Sequence, residues 1–167
     1  PRIGSNYMQP GPGFGGPCLE KDLMALVELG NFYDLESTFM KAILKRNERQ
    51  VELILDKITS EIKQVGSLIT VLGLSFKANT DDIRNSASIK LIKLLLKKGY
   101  KVNSYDPKAK YSLKNENYLQ FDNLYSSLNK SKCAVIMTEW DDFKNLNFIK
   151  ISKLMTSKII LDMRNII

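Results

Sequence analysis

From Leu68 onward the chain alternates short apolar runs with amphipathic stretches, and this limits its fold more than any other feature. Leu68-Ile69-Thr70-Val71-Leu72-Gly73 reads as a short buried strand, and Ser86 to Lys98 as an amphipathic helix closed by Gly99. Lys101 to Tyr105 reads as a second strand, ending in Asp106-Pro107. Two more apolar runs follow: Cys133-Ala134-Val135-Ile136-Met137 behind a short helix near Leu124, and Lys158 to Leu161 behind a helical segment near Ile149. Strands separated by helices in this way imply a parallel sheet with right-handed crossovers. Ligands of such sheets bind beyond the carboxyl ends of the strands, where the strand order reverses. The segments to watch are therefore Ser75 to Arg84, Asp106, Thr138 to Trp140 and Asp162 to Asn165.

The amino-terminal part has a different rhythm. Residues 1–18 are a loop rich in glycine and proline. A helix is expected from Leu19 to Leu29, with Gly30-Asn31 as its stop. Between Leu35 and Val65 there is no glycine or proline, and Phe39, Ile43, Val51, Ile54, Leu55, Ile58, Ile62 and Val65 recur at helical spacing. A helix of that length would span roughly 45 Å, more than one small unit needs to cover its own core. The stripe is expected to contact a second copy of the chain; the alternative is packing within its own chain.

Where loop meets first helix lies Gly11-Pro12-Gly13-Phe14-Gly15-Gly16-Pro17-Cys18-Leu19-Glu20-Lys21-Asp22. A cysteine here sits where amides at a helix start carry a partial positive charge of about half a unit, which stabilises an anion. Lys21 adds to that pull, while Glu20 and Asp22 oppose it. The glycines are expected to let backbone approach a ligand closely. An isolated cysteine more often fills a buried site, but the glycine cluster and the helix start favour a nucleophile. Gly11, Gly13 and Gly16 also match the G-x-G-x-x-G pattern of dinucleotide-binding folds. That pattern needs a strand before it, and Asn6-Tyr7-Met8-Gln9-Pro10 is no strand, so the match is accidental.

Composition then excludes several chemistries. The 167 residues include no histidine, which removes Ser-His-Asp and Cys-His catalysis and deprives zinc of its usual nitrogen ligand. No metal site is expected. Two cysteines, Cys18 and Cys133, make no disulfide framework and fit a reducing compartment, the cytoplasm. No apolar run reaches the length of a membrane span. The net charge of +7 is scattered as lysine along helices rather than clustered with aromatics, so nucleic acid is not the expected partner. In the loop after the first strand, Lys77 and Arg84 have the donors to grip phosphates, unless they make ordinary loop salt bridges. Asp81 and Asp82 are expected to cap the following helix, or to hold those cations.

Several segments together resemble the UDP-glucose/GDP-mannose dehydrogenase family. They are Pro1-Arg2-Ile3-Gly4, Gly13 to Asp22, Gly73-Leu74-Ser75-Phe76-Lys77, Thr80-Asp81-Asp82-Ile83-Arg84, Tyr105-Asp106-Pro107, Thr138-Glu139-Trp140 and Asp162-Met163-Arg164-Asn165, in the family's order across the whole chain. The resemblance implies an α/β fold: an all-helical central dimerisation region, residues 1–66, followed by a Rossmann-like parallel-sheet domain that binds a UDP-sugar, residues 67–167. It implies a two-step oxidation of a sugar-nucleotide alcohol to the acid with NAD, through a thiohemiacetal and a thioester on Cys18. Asp22 resembles the carboxylate that handles the proton of the hydrolytic water. Lys21 and Cys18 would lie near the nicotinamide, and Arg84 would reach NAD. Tyr7, Gln9, Gly13, Phe14 and Gly15 would wrap the nucleotide sugar, with Phe76, Lys77 and Arg164 on its nucleotide part. Arg2 would be offered across a homodimer built on the long helix.

Departures from the family pattern accompany the match. Nothing in the sequence corresponds to the family's first, NAD-holding Rossmann domain, so these residues alone are expected to be inactive. Pro17 stands for a common serine and Glu20 for a common proline. The alternative is a non-catalytic dimerisation and nucleotide-binding remnant of the same family.

Overall fold

A computed structural model of the chain describes Gly4 and residues 8–167; Arg2 and Tyr7 lie outside the described residues. The elements run α1 (Leu19–Phe32), α2 (Thr38–Glu61), β1 (Leu68–Leu72), α3 (Ala87–Lys97), β2 (Lys101–Tyr105), β3 (Tyr118–Phe121), α4 (Leu124–Ser127), β4 (Cys133–Ile136), α5 (Asp141–Lys144), α6 (Phe148–Leu154) and β5 (Ile159–Asp162). The five strands form one parallel sheet in the order β3-β2-β1-β4-β5. Register sets Ile69 of β1 opposite Val102 of β2 and Cys133 of β4. This is the Rossmann-like sheet, and its order reverses beside β1.

Each central strand sends alternate side chains to two apolar layers. Ile69 and Val71 of β1, with Cys133 and Val135 of β4, join α2 and α3 on one face. Leu72, Ala134 and Ile136 point the other way, onto Leu124, Leu128, Phe143 and Ile151 from the α4–α6 side. Helices on both faces explain why β1 and β4 read as unbroken apolar runs.

Four features differ from the sequence expectations. The sheet has a strand, β3, that the sequence reading did not contain. Tyr118-Leu119-Gln120-Phe121 is a four-residue edge strand with only Tyr118 buried, too short to show a period. Second, α1 runs through Gly30 and Asn31 to Phe32. Gly30 is buried inside the helix because Ser37 packs against it: a Cβ there would lie 2.1 Å from the Ser37 hydroxyl. Third, α2 is 24 residues rather than about thirty. Its second half faces its own chain, with Val51, Ile54, Leu55, Ile58 and Ile62 inside the sheet's apolar layer. The most exposed apolar side chain of α2 lies in its first half, Phe39 at 72%, against 39% for Leu53 in the second. Fourth, neither Asp81 nor Asp82 caps α3. Ser86 does, its hydroxyl accepting from the Ser88 amide at 3.2 Å.

Candidate functional site

The carboxyl ends of the strands meet the glycine-rich loop, and two pins hold that loop. At one end the amide of Phe14 donates to Asn47 Oδ1 at 2.8 Å, while Asn47 Nδ2 donates to the Phe14 carbonyl at 2.9 Å. At the other, the Gly16 amide donates to the Arg84 carbonyl at 3.0 Å, and Asn85 Nδ2 donates to the Gly16 carbonyl at 3.4 Å. The glycines make this packing possible. A Cβ on Gly13 would fall 2.4 Å from Asn47 Oδ1, on Gly15 2.7 Å from the Asn85 carbonyl, and on Gly16 2.9 Å from the Phe76 ring. Gly13 and Gly16 also take φ of +97° and +84°, which side-chain-bearing residues rarely adopt.

Cys18 follows at once. It is a free thiol, exposed, in the residue before α1, and its carbonyl accepts from the Asp22 amide at 2.9 Å, one helical turn on. Asp22 and Lys21 are exposed beside it on α1, with Glu20 and Asp22 complementing the positive end of the helix. Arg84 is clasped by Asp82, whose carboxylate takes Nε at 3.0 Å and Nη2 at 2.6 Å. That hydrogen bonding holds Asp82 below the usual carboxylate range and raises Arg84 above its ordinary value. Cys133 is the opposite kind of cysteine: buried, its thiol pushed up to about 12, chiefly by desolvation.

Beyond the strand ends lies a cleft of about 640 Å³, walled by Gln9 and Pro10 of the loop, Ala78, Lys108, Trp140 and Arg164 among others. Arg164 ties its parts together. Its Nε donates to the Met137 carbonyl at 3.1 Å and pairs with Glu139 at 3.0 Å, and Nη2 donates to the Phe76 carbonyl at 3.2 Å. Burial lowers the Arg164 pKa, and Glu139 acts against that shift. Glu139 in turn accepts from the Ala78 amide at 3.2 Å. Lys77 is exposed, its ammonium 5.5 Å from the centre of the Phe76 ring.

Asp106 organises the same region. It is 3% exposed at the end of β2. Its Oδ2 accepts from the amides of Leu74 and Ser75, the Ser75 hydroxyl and the Trp140 indole, at 2.7 to 3.2 Å. Its Oδ1 accepts from the amides of Lys108 and Ala109 at 2.9 and 2.7 Å. One carboxylate thus fixes the turns after β1, β2 and β4.

Two family models cover most of this architecture. Residues 70–167 match the UDP binding domain of the UDP-glucose/GDP-mannose dehydrogenase family, and residues 1–49 match its central domain. The chain belongs to that family. It is 39% identical over 174 residues to a UDP-glucose 6-dehydrogenase of Rickettsia conorii, and 31% identical over 169 residues to the UDP-glucose 6-dehydrogenase TuaD of Bacillus subtilis. Each alignment takes in 99% of this chain but 40% and 37% of the relative, so the chain spans about two fifths of these dehydrogenases' length. A UDP-glucose dehydrogenase from Pyrobaculum islandicum superposes with a TM-score of 0.86 at 30% identity, over 99% of this chain and 38% of that one. A GDP-mannose dehydrogenase from Pseudomonas aeruginosa gives 0.81 at 29%, over 98% and 39%.

Within this family member, the predicted residues fall into two main groups. Gly13, Phe14, Gly15, Cys18, Phe76 and Arg84 meet where the loop joins the sheet, while Gln9 and Arg164 line the cleft. Lys21, Asp22 and Lys77 stand exposed nearby, their side chains without a hydrogen bond among the described residues. Sequence reasoning missed Glu139, Lys108 and Asn47. Glu139 lay in a flagged segment, and only its bond to Arg164 marks it out. Asn47 left a faint signal, a poor helix former in the middle of a helix.

Proposed function

We propose that this chain is the substrate-binding and covalent-capture part of an NAD-dependent UDP-sugar 6-dehydrogenase, with UDP-glucose as substrate. Residues 1–66 act as the helical unit and residues 67–167 as the nucleotide-sugar unit. One observation carries the reading: the loop that ends in the exposed Cys18 is hydrogen-bonded to the turn after β1, at the open end of a parallel sheet. A nucleophile and a nucleotide-sized cleft therefore share one side of the molecule.

The nucleotide sugar enters at the strand ends. Arg164, Lys77 and Phe76 take the nucleotide part, and Gln9, Gly13, Phe14 and Gly15 follow the sugar, largely through backbone. Tyr7 and Arg2 belong to the same wrapping in this reading, Arg2 from a second copy. Cys18 Sγ adds to the aldehyde carbon, forming a C–S bond while the carbonyl oxygen takes a proton. The reactive aldehyde is thereby kept from leaving. The acyl carbon then rests on sulfur as a thioester until water attacks it, Asp22 taking the water's proton as the thiolate departs.

NAD, when bound, supplies the acceptor for the two hydrides. The donor set beside Cys18 fits such a dinucleotide, since Lys21 and Arg84 are exposed cations suited to a pyrophosphate. The sheet itself does not. Dinucleotide folds offer the acid after their second strand to a ribose, and here Asp106 is spent on six internal donors. These residues alone are accordingly expected to bind a UDP-sugar without oxidising it.

Calorimetry of the chain with UDP, UDP-glucose and GDP-mannose tests the assignment. UDP and UDP-glucose are expected to bind, with GDP-mannose at least about tenfold weaker, a difference of roughly 1.4 kcal/mol. Binding of none, or a preference for GDP-mannose, would contradict it.

We also propose a homodimer, through α1 and the first half of α2 rather than the whole long helix. Met24, Phe32, Tyr33, Leu35 and Phe39 leave these elements heavily exposed, Phe32 at 80%. Exposed apolar residues gathered in this number mark contact surfaces. Light scattering is expected to read a dimer at high micromolar concentration; a clean monomer there would sink this part.

A further inference from the structure

We propose that Asn47 is a positioning residue, a clamp on α2 that sets the glycine-rich loop and through it the place of Cys18. It rests on the proposed function only in its nucleotide readout.

The geometry is specific to a carboxamide. Both polar ends of one side chain meet both polar ends of one residue: Oδ1 accepts from the Phe14 amide and Nδ2 donates to the Phe14 carbonyl, at 2.8 and 2.9 Å. Aspartate lacks the donor, and leucine of similar shape lacks both groups. Gly13 belongs to the same device, because its bare Cα leaves room for Oδ1. The bonds cross 33 residues of sequence.

The consequence reaches Cys18 by a short path. Phe14 is fixed to α2 by Asn47, and Gly16 to the turn after β1 by its bond to Arg84. One residue, Pro17, separates Gly16 from the sulfur-bearing position. With both pins in place the chain between has little freedom. Without the first, the loop swings on Gly16 alone, and a loop opens locally when few bonds hold it. Asn47 lies outside the apolar layer, which begins on α2 at Val51. An open apolar hollow of about 500 Å³ adjoins it, lined by Phe14, Ile43 and Gln50 among others. Replacing Asn47 should therefore loosen the loop without unfolding the sheet.

Asn47→Leu and Asn47→Asp are the variants, read by amide hydrogen exchange at Gly16, UDP-glucose calorimetry and the melting temperature. Gly16 is chosen because its own partner, the Arg84 carbonyl, is untouched. Both variants are expected to speed Gly16 exchange about tenfold or more and to weaken UDP-glucose by a similar factor, with the melting temperature lowered only slightly. Gly16 exchange within twofold of the parent in both variants would overturn the clamp. If the parent chain does not bind UDP-glucose while Gly16 exchange still rises, the clamp stands and the proposed function fails. Should the leucine variant not fold, the aspartate variant, which keeps an acceptor for the Phe14 amide, decides alone.

Discussion

Asp106→Leu is expected to remove about 4 kcal/mol or more of folding stability, enough to leave the chain largely unfolded at 37 °C. The reason lies in what it would strand. Six donors around the carboxylate point into a site 3% exposed. A buried donor left without its partner costs about 1–3 kcal/mol, and bonds to a charged acceptor are the stronger kind. Water will reach some of these groups, so the sum of six is not expected. Even two stranded amides consume much of a domain's usual margin of about 5–15 kcal/mol. Asp106→Asn separates charge from shape. Its amide nitrogen must face donors on one side or the other, at a cost of roughly 2–3 kcal/mol. Urea denaturation read by circular dichroism measures both. An asparagine variant within 1 kcal/mol of the parent would show that shape alone holds these turns.

Much of this fold was legible because its strands are buried on both faces. Leu68–Leu72 and Cys133–Ile136 announce themselves as apolar runs, and their spacing from Ser86–Lys98 leaves a parallel sheet as the simplest answer. Where burial is partial the signal fades: Tyr118–Phe121 covers one edge with four residues, and nothing periodic can be read from four. The long helix shows a second limit. Its apolar stripe is real, but periodicity states which face is buried and not against what, and Val51 to Ile62 turned out to face the chain's own sheet.

The site was legible in parts. Glycine spacing located the loop but not the atoms packed against it, which belong to Asn47, Asn85 and Phe76. Backbone room is visible in a sequence, while the atom that fills it is not. Asp82 likewise looked like a helix cap because it precedes α3, although Ser86 stands nearer and leaves Asp82 to Arg84. Asn47 could not have been found from its neighbours, since its partner lies 33 residues away.

The second large effect concerns the sulfur itself. Cys18 is exposed and free, whereas Cys133 is buried with its thiol pushed up to about 12, so a mild alkylating agent reads Cys18 alone. If the nucleotide sugar lies along the loop and across the mouth of the cleft, it must cover that thiol. At one hundred times its dissociation constant about one molecule in a hundred stays open, so modification should slow roughly a hundredfold. The deciding measurement is the rate of iodoacetamide labelling at Cys18, followed by mass spectrometry with and without UDP-glucose. Slowing that tracks occupancy, and is absent with glucose alone, is the result this account predicts. Labelling at an unchanged rate while calorimetry reports bound UDP-glucose would contradict it, because the thiol and the sugar would then occupy different places.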